Sequence, residues 1–127
     1  MVHPFRRAIE ARDLDAAAAL MREDVVFRSP AVFKPYHGRE AVRRLLEAVM
    51  AVFEDFRYVR EIGADPSTGA RDHALVFETR VGDKEIEGCD FIQLDEDGAI
   101  SEFTVMVRPM SGLLALAEAM KVQLSTA

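Results

Sequence analysis

Apolar residues recur three and four apart at the start of the chain, where Phe5, Ala8 and Ile9 predict a first short helix. Leu14, Ala17, Ala18 and Met21 repeat that spacing, and Asp13 stands where a helix N-cap belongs. VVFRSP then reads as a short extended run stopped at Pro30, and AVFKPYHG as a loop leading to Gly38. A third helix with a wide apolar face follows through Val42, Leu45, Leu46, Val49, Met50 and Phe53. From Phe56 the period shortens to two. FRYVREIGA, HALVFETRV, KEIEGCDFIQL and AISEFTVMVR, separated by DPSTG, a Gly82–Asp83 turn and DEDG, predict a four-stranded antiparallel meander. SGLLALAEAMKVQL predicts a closing helix, with Leu113, Leu116, Ala117, Met120 and Leu124 on one side and Ser111 as its cap.

Helices first and strands afterwards describe an α+β domain, a curved antiparallel sheet wrapped over three N-terminal helices into a cone, with an added C-terminal helix. A two-residue turn at Gly82–Asp83 pairs Val81 with Lys84 and carries Leu75 opposite Asp90. His73, Leu75, Phe77 and Thr79 then share the inner face with Asp90 and Ile92, and on the last strand Phe103 and Val105 belong to the greasier set. A three-residue turn would bring Ala74, Val76 and Glu78 inward instead, a more polar and less bulky set. Asp90 is the anomaly. A carboxylate among aliphatic neighbours is costly unless it is neutral, paired or engaged in chemistry.

Composition narrows the function. A chain of 127 residues, half of them hydrophobic, fits one domain spanning 1–127. The formal charge of −6, with no basic run longer than a pair of arginines, argues against nucleic acid as a partner. Cys89 is the only cysteine, so an internal disulfide and a cysteine metal cluster are excluded. His3, His37 and His73 lack metal-ligand spacing, and neither a metal nor another cofactor is expected. With no long apolar run, a soluble, cytoplasmic protein that does not enter membranes is expected.

ARDLDAAAALMREDVVF, the SP before the loop to Gly38, and GCDFIQLDEDGAISEF resemble the SnoaL-like members of the NTF2-like superfamily, over essentially the whole chain. That resemblance implies the cone fold, which hosts isomerases, polyketide cyclases, epoxide hydrolases, dehydratases and non-catalytic adaptors. Compared with the superfamily's steroid delta-isomerases, Asp90 falls where a protonated aspartate donates a hydrogen bond to a developing enolate oxygen. Ser29, before Pro30, falls where those enzymes place the base aspartate, and Phe5 where they place a tyrosine donor. The resemblance therefore implies the pocket acid without the other two groups.

His73 is the candidate replacement base, diagonal to Asp90 in the favoured register, or else a strand-end residue facing solvent. Phe5, Ser29, Leu75, Phe77, Ile92, Phe103 and Val105 are candidate pocket residues, with Tyr36 and His37 at the mouth. The leading expectation is a small enzyme of isomerase, cyclase or hydratase type acting on a hydrophobic carbonyl compound, with Asp90 as acid or oxyanion donor. The alternatives are a non-catalytic binder of an apolar metabolite and a protein-interaction adaptor. Phe91, Met106 and Cys89 face outward on the sheet, and a homodimer through that face is expected. The last helix is expected to cap the cone mouth.

Overall fold

His3 opens the first helix by accepting the Phe5 amide on Nδ1 at 3.1 Å, and Pro4 occupies the first turn, where its missing N–H removes no helix bond. The computed structural model describes residues 2–125. Helix α1 runs Pro4–Glu10 and α2 runs Leu14–Ala19, the latter capped by the Asp13 carboxylate on the Ala16 amide at 3.0 Å. Strands β1 (Met21–Arg28) and β2 (Tyr36–His37) precede α3 (Arg39–Val52). Strands β3 (Glu54–Ile62), β4 (Asp72–Val81), β5 (Lys84–Leu94) and β6 (Ile100–Arg108) lead to α4 (Met110–Ser125), with a short 3-10 turn at Pro66–Thr68 between β3 and β4.

One six-stranded sheet has the order β2-β1-β6-β5-β4-β3. The antiparallel meander runs from β3 to β6, and its central hairpin has the expected register, with Val81 opposite Lys84 and Leu75 opposite Asp90. The wholly antiparallel sheet is corrected at its other end. There β1 pairs parallel with β6, Phe27 beside Phe103, so the curved, unclosed sheet is mixed. Three local readings also change. Met21 begins β1 instead of ending α2, Tyr36 and His37 form a two-residue strand on Val26 and Phe27 instead of lying in a loop, and Ser111 lies inside α4 instead of capping it. Among the described residues no helix is long and apolar enough to cross a membrane.

The sheet's concave face, α1, α3 and α4 close on a core in which Phe5, Val25, Val42, Leu75, Phe77 and Phe103 are all buried. His73, Leu75, Phe77 and Thr79 are buried together on β4. Gly112 lets α4 approach the sheet, since a Cβ there would lie 2.7 Å from the Ile86 side chain.

Candidate functional site

Between the concave face and the helices lies a cavity of about 390 Å³. Every phenylalanine and tyrosine except Phe33 and Phe91 lines it, and leucines, valines and methionines of α3 and α4 complete the wall. Its size is that of a small-molecule site. Polar character is confined to Asp90, Tyr58, Ser29, Tyr36 and Lys121.

Asp90 stands on β5 between Leu75 and Val105, its cross-strand neighbours, and is 5% exposed. The Tyr58 hydroxyl, reaching in from β3, donates to Asp90 Oδ2 at 2.7 Å. Tyr58 is held edge-on by Phe56 and Phe77, and the Arg6 guanidinium lies 6.0 Å from its ring centre. Burial pushes the Asp90 carboxyl up from 3.8 to about 7, against the Tyr58 hydrogen bond, which favours the ionised form. The Tyr58 phenol is pushed well above its ordinary value by burial and then by the adjacent acid, so it remains a donor. Because Oδ2 accepts from Tyr58, the proton of the neutral acid belongs on Oδ1, which has no protein hydrogen bond among the described residues. In its neutral form Asp90 thus presents one carboxylic O–H donor to an apolar cavity.

Phe5, Ser29, Tyr36, Phe77, Phe103 and Val105 line this cavity with Asp90. Four other candidates do not. His37 is exposed on β2, Ile92 is buried in the core away from the cavity wall, and Leu75 and His73 face a second cavity. The expected Asp90–His73 pair is not formed. Residues two apart on one strand face are separated by roughly 7 Å, and Leu75 takes the position opposite Asp90, which leaves His73 at the end of β4. There its Nε2 bonds the Ala64 carbonyl at 2.9 Å and its ring packs edge-on against His3, 4.8 Å between centres. Ser29 is engaged in its own loop, accepting the Val32 amide at 3.0 Å. Helix α4 covers the cavity through Leu116, Ala117, Met120 and Leu124.

Tyr58 is the site residue that sequence reasoning missed. Its signal was present: Phe56 and Tyr58 share a face of one predicted strand, and a buried tyrosine hydroxyl needs a partner.

Gly88 makes room for the cavity's aromatic wall. It pairs with Phe77 on β4, and a Cβ at residue 88 would collide with the Phe77 ring. Gly88→Ala is expected to destabilise the fold by about 1–3 kcal/mol, the usual cost of overpacking, and to push the ring into the cavity. Denaturant midpoints and the affinity for an apolar dye measure the two effects; unchanged values for both would mean that the strand yields instead of the ring.

Residues 2–103 match the family described as the SnoaL-like domain. No curated protein matches the chain. A crystal structure of a steroid delta-isomerase from Pseudomonas aeruginosa is similar at 45% identity and a TM-score of 0.86, covering 94% of this chain and 85% of that one. An uncharacterized protein with a cystatin-like fold from Silicibacter pomeroyi is similar at 35% identity and a TM-score of 0.88, covering 97% and 84%. SalBIII, an epoxide hydrolase/cyclase-like enzyme with a role in pyran ring formation in the polyether salinomycin, shares the fold at 14% identity and a TM-score of 0.64, covering 85% and 87%.

Proposed function

Because this chain belongs to the SnoaL-like domain family, we propose that it is a small enzyme of isomerase, cyclase or hydratase type, acting on a hydrophobic carbonyl-bearing compound in the main cavity. What supports this reading is the Tyr58–Asp90 hydrogen bond at the wall of an otherwise apolar chamber. A substrate oxygen at Oδ1 accepts the acid proton's hydrogen bond. As negative charge gathers on that oxygen the bond strengthens, and little water competes for it. Tyr58 fixes Oδ2, so the donor is aimed before the substrate arrives. The likeness to a steroid delta-isomerase points the same way.

One observation favours a second reading. Among the described residues lining the cavity, Asp90 is the only carboxylate and no imidazole is present, so no separate base faces the substrate. Within the enzymatic reading this favours reactions driven by donation to an oxygen, ring closure or hydration, over a two-residue proton shuttle. It is also what a non-catalytic binder of an apolar metabolite would show. Offering cyclic enones, lactones and ketones to the wild type and to Asp90→Ala separates the two. Turnover lost in the variant supports the enzyme; tight binding without turnover in either protein moves the assignment to a carrier.

On the sheet's outer face Phe91 is 44% and Met106 58% exposed, with Cys89 half-buried beside them. We propose that two copies pair through this face. Sedimentation at micromolar concentration is expected to give twice the chain mass of 14.2 kDa, and a monomer would remove the pairing.

A further inference from the structure

The lining of the main cavity has two polar ends. One is the buried Tyr58–Asp90 pair on the sheet. The other lies where the lining meets solvent: Val32 and Leu124 are 47% and 44% exposed and Lys121 is exposed, whereas Asp90, Phe5, Phe77 and Phe103 are buried. These exposed residues mark a mouth between the loop after β1 and the last turns of α4.

Among the described residues of the lining Lys121 is the only cation, as Asp90 is the only acid. Its neighbours in the wall on α4 are Leu116, Ala117, Met120 and Leu124, apolar surface of the kind that a lysine stem covers while its ammonium stays at the edge. With 22 acidic residues against 16 basic ones, most cations of this chain could find a carboxylate, and Arg6, Arg28, Arg43, Arg57, Arg80 and Arg108 each do. Lys121 has no ion pair among the described residues, although the exposed Glu118 stands three residues before it on the same helix.

Tyr36 supplies the second donor. Its half-buried ring packs against Phe27, 6.3 Å between centres, and its hydroxyl has no hydrogen-bond partner among the described residues. Ser29 Oγ is already engaged with the Val32 amide, and residues 29–38 add Lys34 and no acid. The side chains of the mouth therefore offer donors and positive charge without a carboxylate. A cationic ligand end would meet two lysines there, whereas an anionic end answers both Lys121 and the Tyr36 hydroxyl. The same anion is excluded from the inner wall, where burial disfavours even the charge of Asp90.

We propose that the main cavity takes an amphipathic substrate, whose apolar body carries its carbonyl to Asp90 and whose anionic end, a carboxylate or a group of like charge, stays at the mouth against Lys121 and Tyr36. This names the substrate class for the reading given above and rests on the main cavity being the ligand site, though not on its being catalytic. Lys121 then sets the direction of entry, apolar end first.

Anilinonaphthalene sulfonate and N-phenylnaphthylamine, one aromatic body with and without an anionic group, test it on the full chain. Titrations followed through the methyl resonances of Met50 and Met120, which line the cavity, report binding there. The wild type is expected to bind the sulfonate more tightly than Lys121→Met does, by at least about threefold, the scale of a partly exposed charge pair. The neutral probe is expected to bind both proteins alike, which also shows that the variant is folded. Tyr36→Phe is expected to weaken the sulfonate and not the neutral probe, and added salt to erode the sulfonate's affinity in the wild type more than in Lys121→Met. Equal sulfonate affinity in wild type and Lys121→Met would leave Lys121 a solvated rim residue and overturn the proposal while the cavity remains a ligand site. Methyl resonances that neither probe moves would overturn the proposal and the ligand site together.

Discussion

Between pH 4 and 7 the wild-type protein will lose stability relative to Asp90→Asn, by up to about 4 kcal/mol, and the difference will be flat above pH 7. The folded carboxyl titrates at about 7 against 3.8 for an ordinary aspartate, a gap of roughly three units at ~1.4 kcal/mol each. A folded-state value above the unfolded one means that the native state binds the extra proton. The stability this group contributes is therefore complete below pH 3.8 and is lost as pH climbs toward 7. Asparagine keeps an oxygen for the Tyr58 hydroxyl and an N–H for the cavity, but it never has to ionise. The wild-type curve alone would mislead. His3, lowered from 6.5 to about 4 by burial and by His73 against the pull of Glu61, has the opposite sign and gains stability over much of the same window. Subtracting the variant cancels His3, because both proteins contain it. Denaturant midpoints from pH 4 to 9 give the difference directly. A difference that stays level across the range would show Asp90 ionising like a solvated acid, and the neutral-donor reading would fall with it.

The inner face of the β4–β5 hairpin was legible because a two-residue turn fixes register, and register fixes which side chains share a face. That placed Asp90 opposite Leu75 and put Phe77 beside the cavity. The helices were legible from their apolar spacing and, for α2, from Asp13. Partners distant in sequence were not. The parallel pairing of β1 with β6 joins segments more than seventy residues apart, and no local period announces it. Tyr58 reaches Asp90 across the whole width of β4, so their bond depends on sheet curvature and not on hairpin register. The error at His73 has the same origin. Sharing a face with Asp90 was right, but distance along the strand and the N-terminal segment that brings His3 decided its partners.

Tyr58→Phe will raise the pKa of Asp90 above about 7; on the proposed enzymatic reading it will also move the pH profile of turnover to higher pH, and Asp90→Ala will lower kcat by about 10²–10³, the range for loss of one oxyanion donor. One hydrogen bond governs both effects. Tyr58 donates to Oδ2 and stabilises the ionised carboxylate, so removing the hydroxyl leaves desolvation unopposed. If the neutral acid is the working form, activity falls as pH rises through the Asp90 pKa. In Tyr58→Phe that fall is expected at higher pH, with a lower plateau because Oδ1–H is no longer held in place. If the carboxylate worked as a base, activity would instead rise with pH, and the same variant would move that rise upward. The direction of the limb therefore identifies the working form, and the sense of its displacement reports Tyr58. Asp90→Asn, which keeps a weaker donor and cannot release a proton, should fall between the wild type and Asp90→Ala if hydrogen bonding to the oxygen dominates. It should match Asp90→Ala if the proton itself is transferred. Carbon-13 titration of the Asp90 carboxyl in the two tyrosine backgrounds measures the underlying shift without a substrate, and a carboxyl pKa unchanged by Tyr58→Phe would remove Tyr58 from the site's chemistry.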